Sequence, residues 1–99
     1  ARIANNMKLR WRERSVNDLI AIQRYIAQDN PQTAKKWVAK LRRRAKSAAD
    51  TALAGRIVPE FNQNDIREVF LGNYRIVYRV RGDGILVLTI FEGHQLLKL

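Results

Sequence analysis

The sequence predicts a small α+β domain in the order β-α-α-β-β-β: an N-terminal strand and a helical hairpin packed on a mostly antiparallel sheet. Three observations predict it. Apolar residues recur at helical spacing in two consecutive stretches, residues 13–28 and 31–52. Three later stretches, residues 65–71, 74–81 and 85–92, read as strands, and the sequences between them, Gly72-Asn73 and Gly82-Asp83-Gly84, suit tight turns. Helices come first and consecutive strands later, which is the α+β pattern.

The elements follow in order. Lys8 to Trp11 is short, with Leu9 and Trp11 on one face of a strand. Ser15 precedes an apolar pattern and Asp18 follows three residues later, which predicts a capping box at the start of the first helix. Val16, Leu19, Ile20, Ile22 and Ile26 carry that helix. Asn30-Pro31 ends the turn and starts the second helix, with asparagine as cap and proline in the first helical position, where its missing N–H has no cost. Ala34, Trp37, Val38, Leu41, Ala45, Ala48, Ala49 and Ala52 trace one stripe, and Gly55 is a natural stop. The break between helices is too short for anything but an antiparallel hairpin. Residues 56–64 lack periodicity and read as loop, with Val58 and Phe61 as anchors. The tail, residues 95–99, is apolar enough to add an edge strand or dock on the sheet.

The chain has 99 residues, which suits one domain, read as residues 7–99 with Met7 a candidate start and residues 1–6 either an upstream extension or a cloning remnant. Hydrophobic residues make up 46%, which argues against disorder. There is no cysteine, so disulfides and thiolate metal sites are excluded and a cytoplasmic location is expected. No apolar run is long enough to span a bilayer, and no cofactor or metal motif is present. The formal net charge is +10, which attracts polyanions: nucleic acid first, an acidic protein partner second.

Ile66 to Val80, two strands joined at Gly72-Asn73, is the most informative stretch. Arg75, Arg79 and Arg81 alternate with Tyr74, Ile76, Tyr78 and Val80, so the arginines leave one face of their strand and the apolar residues the other. The tyrosines, with Trp11 and Trp37, are expected in the core. The second face of the sheet is expected to stay partly open, with its cations free to meet an anion.

Several segments together resemble the RelE/ParE superfamily of bacterial toxins. They are Asp18-Leu19, Ile22 and Tyr25-Ile26 in the first helix, Asn30-Pro31 at the hairpin, and Gly55-Arg56-Ile57-Val58-Pro59-Glu60-Phe61 after it. Ile66-Arg67-Glu68-Val69, Tyr74-Arg75-Ile76-Val77-Tyr78-Arg79-Val80 and the strand ending Phe91-Glu92-Gly93 complete the set, which covers residues 8–97. The resemblance implies the toxin of a type II toxin–antitoxin pair, held inactive by a cognate antitoxin that wraps it. Such toxins have at least two activities. RelE-like members cut messenger RNA on the ribosome, and ParE-like members inhibit DNA gyrase without being nucleases.

Metal-free RNA cleavage needs a base for the 2′-hydroxyl, cations for the charged phosphorane and an acid for the leaving oxygen. Glu60 stands where the YoeB-like ribonucleases carry a general-base glutamate, and Arg75 where they hold the scissile phosphate. Arg67, one strand away, and Arg79 and Arg81 on the arginine-bearing strand are further phosphate candidates. His94 lies near where a terminal acid is expected, and histidine alone shuttles protons near neutral pH without a large shift. Lys40 and Arg43 belong to a basic run on the second helix, which reads either as a solvated face or as a contact for ribosomal RNA or the antitoxin. Each has a structural counterpart: Glu60 paired with Arg56 or Arg67, Arg75 as a surface cation, His94 as plain surface. Many relatives end the last strand with His-Gly, a small residue and arginine; here Glu92-Gly93-His94-Gln95 displaces the histidine and loses the arginine.

Ribosome-dependent mRNA cleavage is therefore the first expectation, with Glu60, Arg67, Arg75 and His94 converging on one open face. Gyrase blockade by a basic hairpin is the second. A module that binds only its antitoxin is the third.

Overall fold

The computed structural model describes residues 8–93. Strand β1 (Lys8–Trp11) leads into helix α1 (Glu13–Ala27) and helix α2 (Pro31–Asp50), followed by a single 3-10 turn at Ala52–Ala54. Four strands follow among the described residues: β2 (Arg56–Ile57), β3 (Ile66–Leu71), β4 (Tyr74–Arg81) and β5 (Gly84–Glu92). They form one sheet in the order β1-β5-β4-β3-β2, antiparallel throughout except that β1 runs parallel to β5. The expected order holds, with one addition. Arg56 and Ile57, read as loop, pair with Glu68 and Arg67 as a short edge strand. The proposed role of the tail lies outside the described residues.

The α2 cap is as expected: the Asn30 side chain accepts the Thr33 N–H at 3.1 Å, and Pro31 takes the first helical position. The capping box at α1 is not formed. Arg12 is the cap residue and has no side-chain bond, while Ser15 is already inside the helix and donates to the Arg12 carbonyl at 2.6 Å. Asp18 instead crosses to β5, where it accepts from the Thr89 hydroxyl at 2.6 Å and the Ile90 N–H at 3.0 Å. A tertiary partner outcompeted the local one because it leaves no buried donor on β5 unpaired.

The hairpin covers one side of the sheet. Leu19 of α1 and Leu41, Ala45, Ala48 and Ala49 of α2 pack on Val69, Ile76, Tyr78, Ile85, Val87 and Ile90. Alanines on α2 bring the helix close to the strands. Tyr78 is fully buried and its hydroxyl donates to the Ala52 carbonyl at 2.7 Å, tying the end of the hairpin to β4. A Cβ at Gly55 would stand 2.1 Å from that hydroxyl, so the stop residue is also a packing requirement. Trp37 packs edge-on against Tyr74, with ring centroids 5.8 Å apart; both are half-buried, and Tyr74 lies against the core.

The apolar run in β5 does not alternate, and a bulge explains it. Val77 pairs with Thr89 but Tyr78 with Val87, so Leu88 is the extra residue. Leu88 then joins Val58, Ile66 and Val77 in a second apolar cluster, flanked by Phe61, Leu86 and Phe91. The second face is therefore less open than expected: Val58 and Phe61 anchor their loop across it. Replacing Asp18 with alanine strands the Ile90 N–H and should cost about 1–3 kcal/mol, read as a lower urea midpoint; Asp18→Asn, which keeps an acceptor, should lose less.

Candidate functional site

Next to that second cluster the sheet holds a chain of alternating charges. In the β3–β4 register Glu68 opposes Val77 and Phe70 opposes Arg75, so Glu68 and Arg75 are diagonal neighbours on one face. Arg56 of β2 sits directly opposite Glu68. The Glu68 carboxylate is wholly buried; one oxygen accepts from Arg75 Nε at 2.6 Å and the other from Arg56 Nε at 2.8 Å. Glu60, in the loop after β2, closes the other end: its two oxygens take the two terminal nitrogens of Arg75, each at 3.0 Å. This is a bidentate fork on top of a third charged bond. Phe91 lies beneath the Arg75 guanidinium, 5.0 Å from ring centroid, and Phe70 beneath that of Arg56 at 5.5 Å.

The sequence of charges is Arg56, Glu68, Arg75, Glu60, and it sums to zero. The Arg75 side chain is only 7% exposed, whereas that of Glu60 is 40% exposed. The hydrogen bond from Arg75 holds the Glu60 carboxyl below its ordinary value of 4.5, against a smaller opposing effect of burial. Glu60 and then Glu68 hold Arg75 yet more firmly protonated. A carboxylate stabilised in this way is a weaker proton acceptor, and a guanidinium so occupied offers little to an incoming phosphate.

The remaining candidates are dispersed. Arg67 pairs with Tyr78 and therefore lies on the hairpin side of the sheet, opposite to Arg75. Its guanidinium donates to the carbonyls of Leu53, Gly55 and Asn64 and to the Asn64 side chain, at 2.8–3.0 Å. The expectation that Arg67 and Arg75 clamp one phosphate is thus overturned: alternation puts them on opposite faces, and Arg67 serves to terminate the hairpin. Glu60 pairs with Arg75 and not with Arg56 or Arg67. Arg79 holds Asp65 at 2.6 Å, and Arg81 is exposed at the far end of β4. Lys40 lies over the Trp37 ring at 5.4 Å and Arg43 is exposed, both on α2 and away from Arg75. His94 lies outside the described residues. Glu68 is the group that the motif reading passed over, although the hairpin register places it next to Arg75.

A cleft of about 400 Å³ opens between α1 and the ends of β4 and β5, lined by Asp18, Ile22, Tyr25, Tyr74, Phe91 and Glu92 among others. Burial pushes the Tyr74 phenol above its usual range, with Glu92 and Tyr25 adding to the effect. Among the described residues, no group of acidic or histidine side chains gathers to hold a metal.

Comparison with protein families finds a match over residues 9–97 to the ParE toxin of the type II toxin–antitoxin system, parDE. Among solved structures, a chain of the chromosomal ParDE TA system from P. aeruginosa is similar, with 27% identity and a TM-score of 0.72. The similarity covers 87% of this chain and 95% of that one. Comparison with curated proteins gave no match.

Two outcomes test the charge network. Glu68→Ala leaves Arg75 Nε without its buried partner and should cost about 3 kcal/mol in urea unfolding, while Glu60→Gln, at a solvent-washed end, should cost under about 1 kcal/mol. Because the folded Glu60 pKa is depressed, its contribution is present above the unfolded value of 4.5 and lost as pH falls through the folded one. The stability gap between wild type and Glu60→Gln should therefore be flat from neutral pH to about 5 and shrink below it.

Proposed function

Because the chain belongs to the ParE toxin family of type II toxin–antitoxin systems, we propose that it arrests growth by binding and blocking DNA gyrase, without nuclease activity. Its partner within the toxin–antitoxin pair is the cognate antitoxin. The observation that carries the gyrase reading is the closed state of Arg75. Three of its donors are committed to Glu60 and Glu68, Arg67 faces the other way, and the network has no net charge to offer a phosphorane.

A blocking protein needs a docking surface instead of a reactive centre, and α1 supplies one. Val16 and Ile20 lie one helical turn apart and are 39% and 42% exposed; Tyr25, beside the cleft, is 71% exposed. Val16 and Ile20 share one side of the helix, whereas Tyr25 lies about 140° further round, on the side of the cleft; an exposed tyrosine at the rim of a cleft suits a protein interface, where such an anchor contributes strongly. Inhibition then requires only that the bound toxin obstruct a step of the enzyme's cycle.

Ribosome-dependent cleavage is the second reading, and one observation favours it: Glu60 and Arg75 do meet on one face. For them to act, a phosphate must displace Glu60 from the fork, which costs two charged hydrogen bonds.

Purified toxin free of antitoxin should inhibit gyrase supercoiling, and Tyr25→Ala should raise the concentration required by about tenfold or more. The same protein should leave mRNA intact on programmed ribosomes. Uninhibited supercoiling, together with mRNA cleavage that Arg75→Ala abolishes, would reverse the order of the two readings.

A further inference from the structure

The ion pairs divide the molecule electrically. On the sheet, Lys8, Arg56, Arg75 and Arg79 each hold a carboxylate. Four of the nine acidic residues are used in this way, and Asp18 is committed to β5. Helix α2 carries seven cations against one acid, Asp50, and among the described residues none of the seven lies within 4.0 Å of a carboxylate. Helix α2 thus carries a net charge of +6 out of the chain's +10.

Its arrangement narrows the partner. Lys36, Lys40 and Arg43 are spaced four and three residues apart, so they form one exposed row along the helix. Lys35, Arg42 and Lys46 form a second row on the same outer side, with Ala39 between the two. No large apolar side chain is exposed on α2, whereas α1 exposes three. A protein interface needs an apolar or aromatic centre; the row of Lys36, Lys40 and Arg43 carries none, and the nearest apolar surface, Leu9 and Trp11 of β1, lies in a hollow at one end of the helix beside Arg42, Arg43 and Lys46. The one aromatic of α2, Trp37, is packed on Tyr74 and does not offer the free ring on which single-stranded bases stack. Two rows of cations on a rigid rod match regularly spaced phosphates.

We propose that the outer face of α2 binds the phosphate backbone of duplex DNA without sequence preference. The hairpin then offers Tyr25 and the cleft beside it to the protein and the cations of α2 to the nucleic acid. The toxin would engage gyrase together with its DNA. That last step rests on the gyrase reading; the duplex contact does not, and is measured without the enzyme.

The test is fluorescence anisotropy of the full chain on a short labelled duplex of mixed sequence, between about 50 and about 200 mM salt. Affinity should fall linearly on logarithmic axes and depend little on sequence. The triple variant Lys36→Gln, Lys40→Gln, Arg43→Gln should flatten the slope by about three and weaken binding, with an unchanged circular dichroism spectrum. Lys8→Gln, which removes a cation already paired on the sheet, should leave the slope as it is. Three results would overturn the proposal: no duplex binding at the lowest salt, a slope unmoved by the triple variant, or polyglutamate competing as well as duplex of equal charge. The last would assign the surface to an acidic protein. Duplex binding with intact supercoiling would remove the gyrase reading and leave this one; inhibition without duplex binding would do the reverse.

Discussion

The buried carboxylate of Glu68 is the interaction on which the rest of this sheet depends. It lies on β3 between an arginine from β2 and another from β4, and so joins three strands through side chains as well as through their ladders. A charge in that position is tolerable only because both oxygens are paired with guanidinium groups. The pairing fixes where Arg75 points, which fixes where Glu60 can close, and that draws the loop after β2 over the second apolar cluster. The edge strand β2, only two residues long, is held by the same group.

This network also accounts for the distribution of charge. A chain with a large cationic excess has few carboxylates, and the sheet uses several of them. What remains on the hairpin is unbalanced. Toxicity and partner binding in a small domain of this kind need not involve a reactive cluster. The two helices differ in surface: α1 exposes Val16, Ile20 and Tyr25, and α2 exposes rows of cations. The tie from Asp18 to the β5 backbone and the Tyr78 hydroxyl on Ala52 hold the hairpin against the sheet at both ends.

Much of the fold was legible in local pattern. The helical stripe of α2, the asparagine cap before Pro31 and the turns at Gly72-Asn73 and Gly82-Asp83-Gly84 each carry their own physical cause within a few residues. The site was less legible. The turn at Gly72-Asn73 already implies that Leu71 faces Tyr74, and counting back places Arg67 opposite Tyr78, on the hairpin side. Reading β4 alone revealed its two faces but not which face β3 would match to it. Ser15 and Asp18 misled for a related reason: their spacing satisfies a local motif, but a buried N–H on a distant strand competes for the same carboxylate.

The amino-acid sequence by itself determined the order of elements, the faces of each and the overall positive charge, because periodicity, turn chemistry and composition are properties of neighbours along the chain. Only the tertiary structure decided which charges cancel. Arg75 is closed by Glu60 and Glu68, and Arg67 by backbone carbonyls, while the cations of α2 stay clear of any described carboxylate. The physical reason is that ion pairing acts over a few ångströms in space and is indifferent to separation in sequence, so strand register and loop closure, rather than composition, choose the partners.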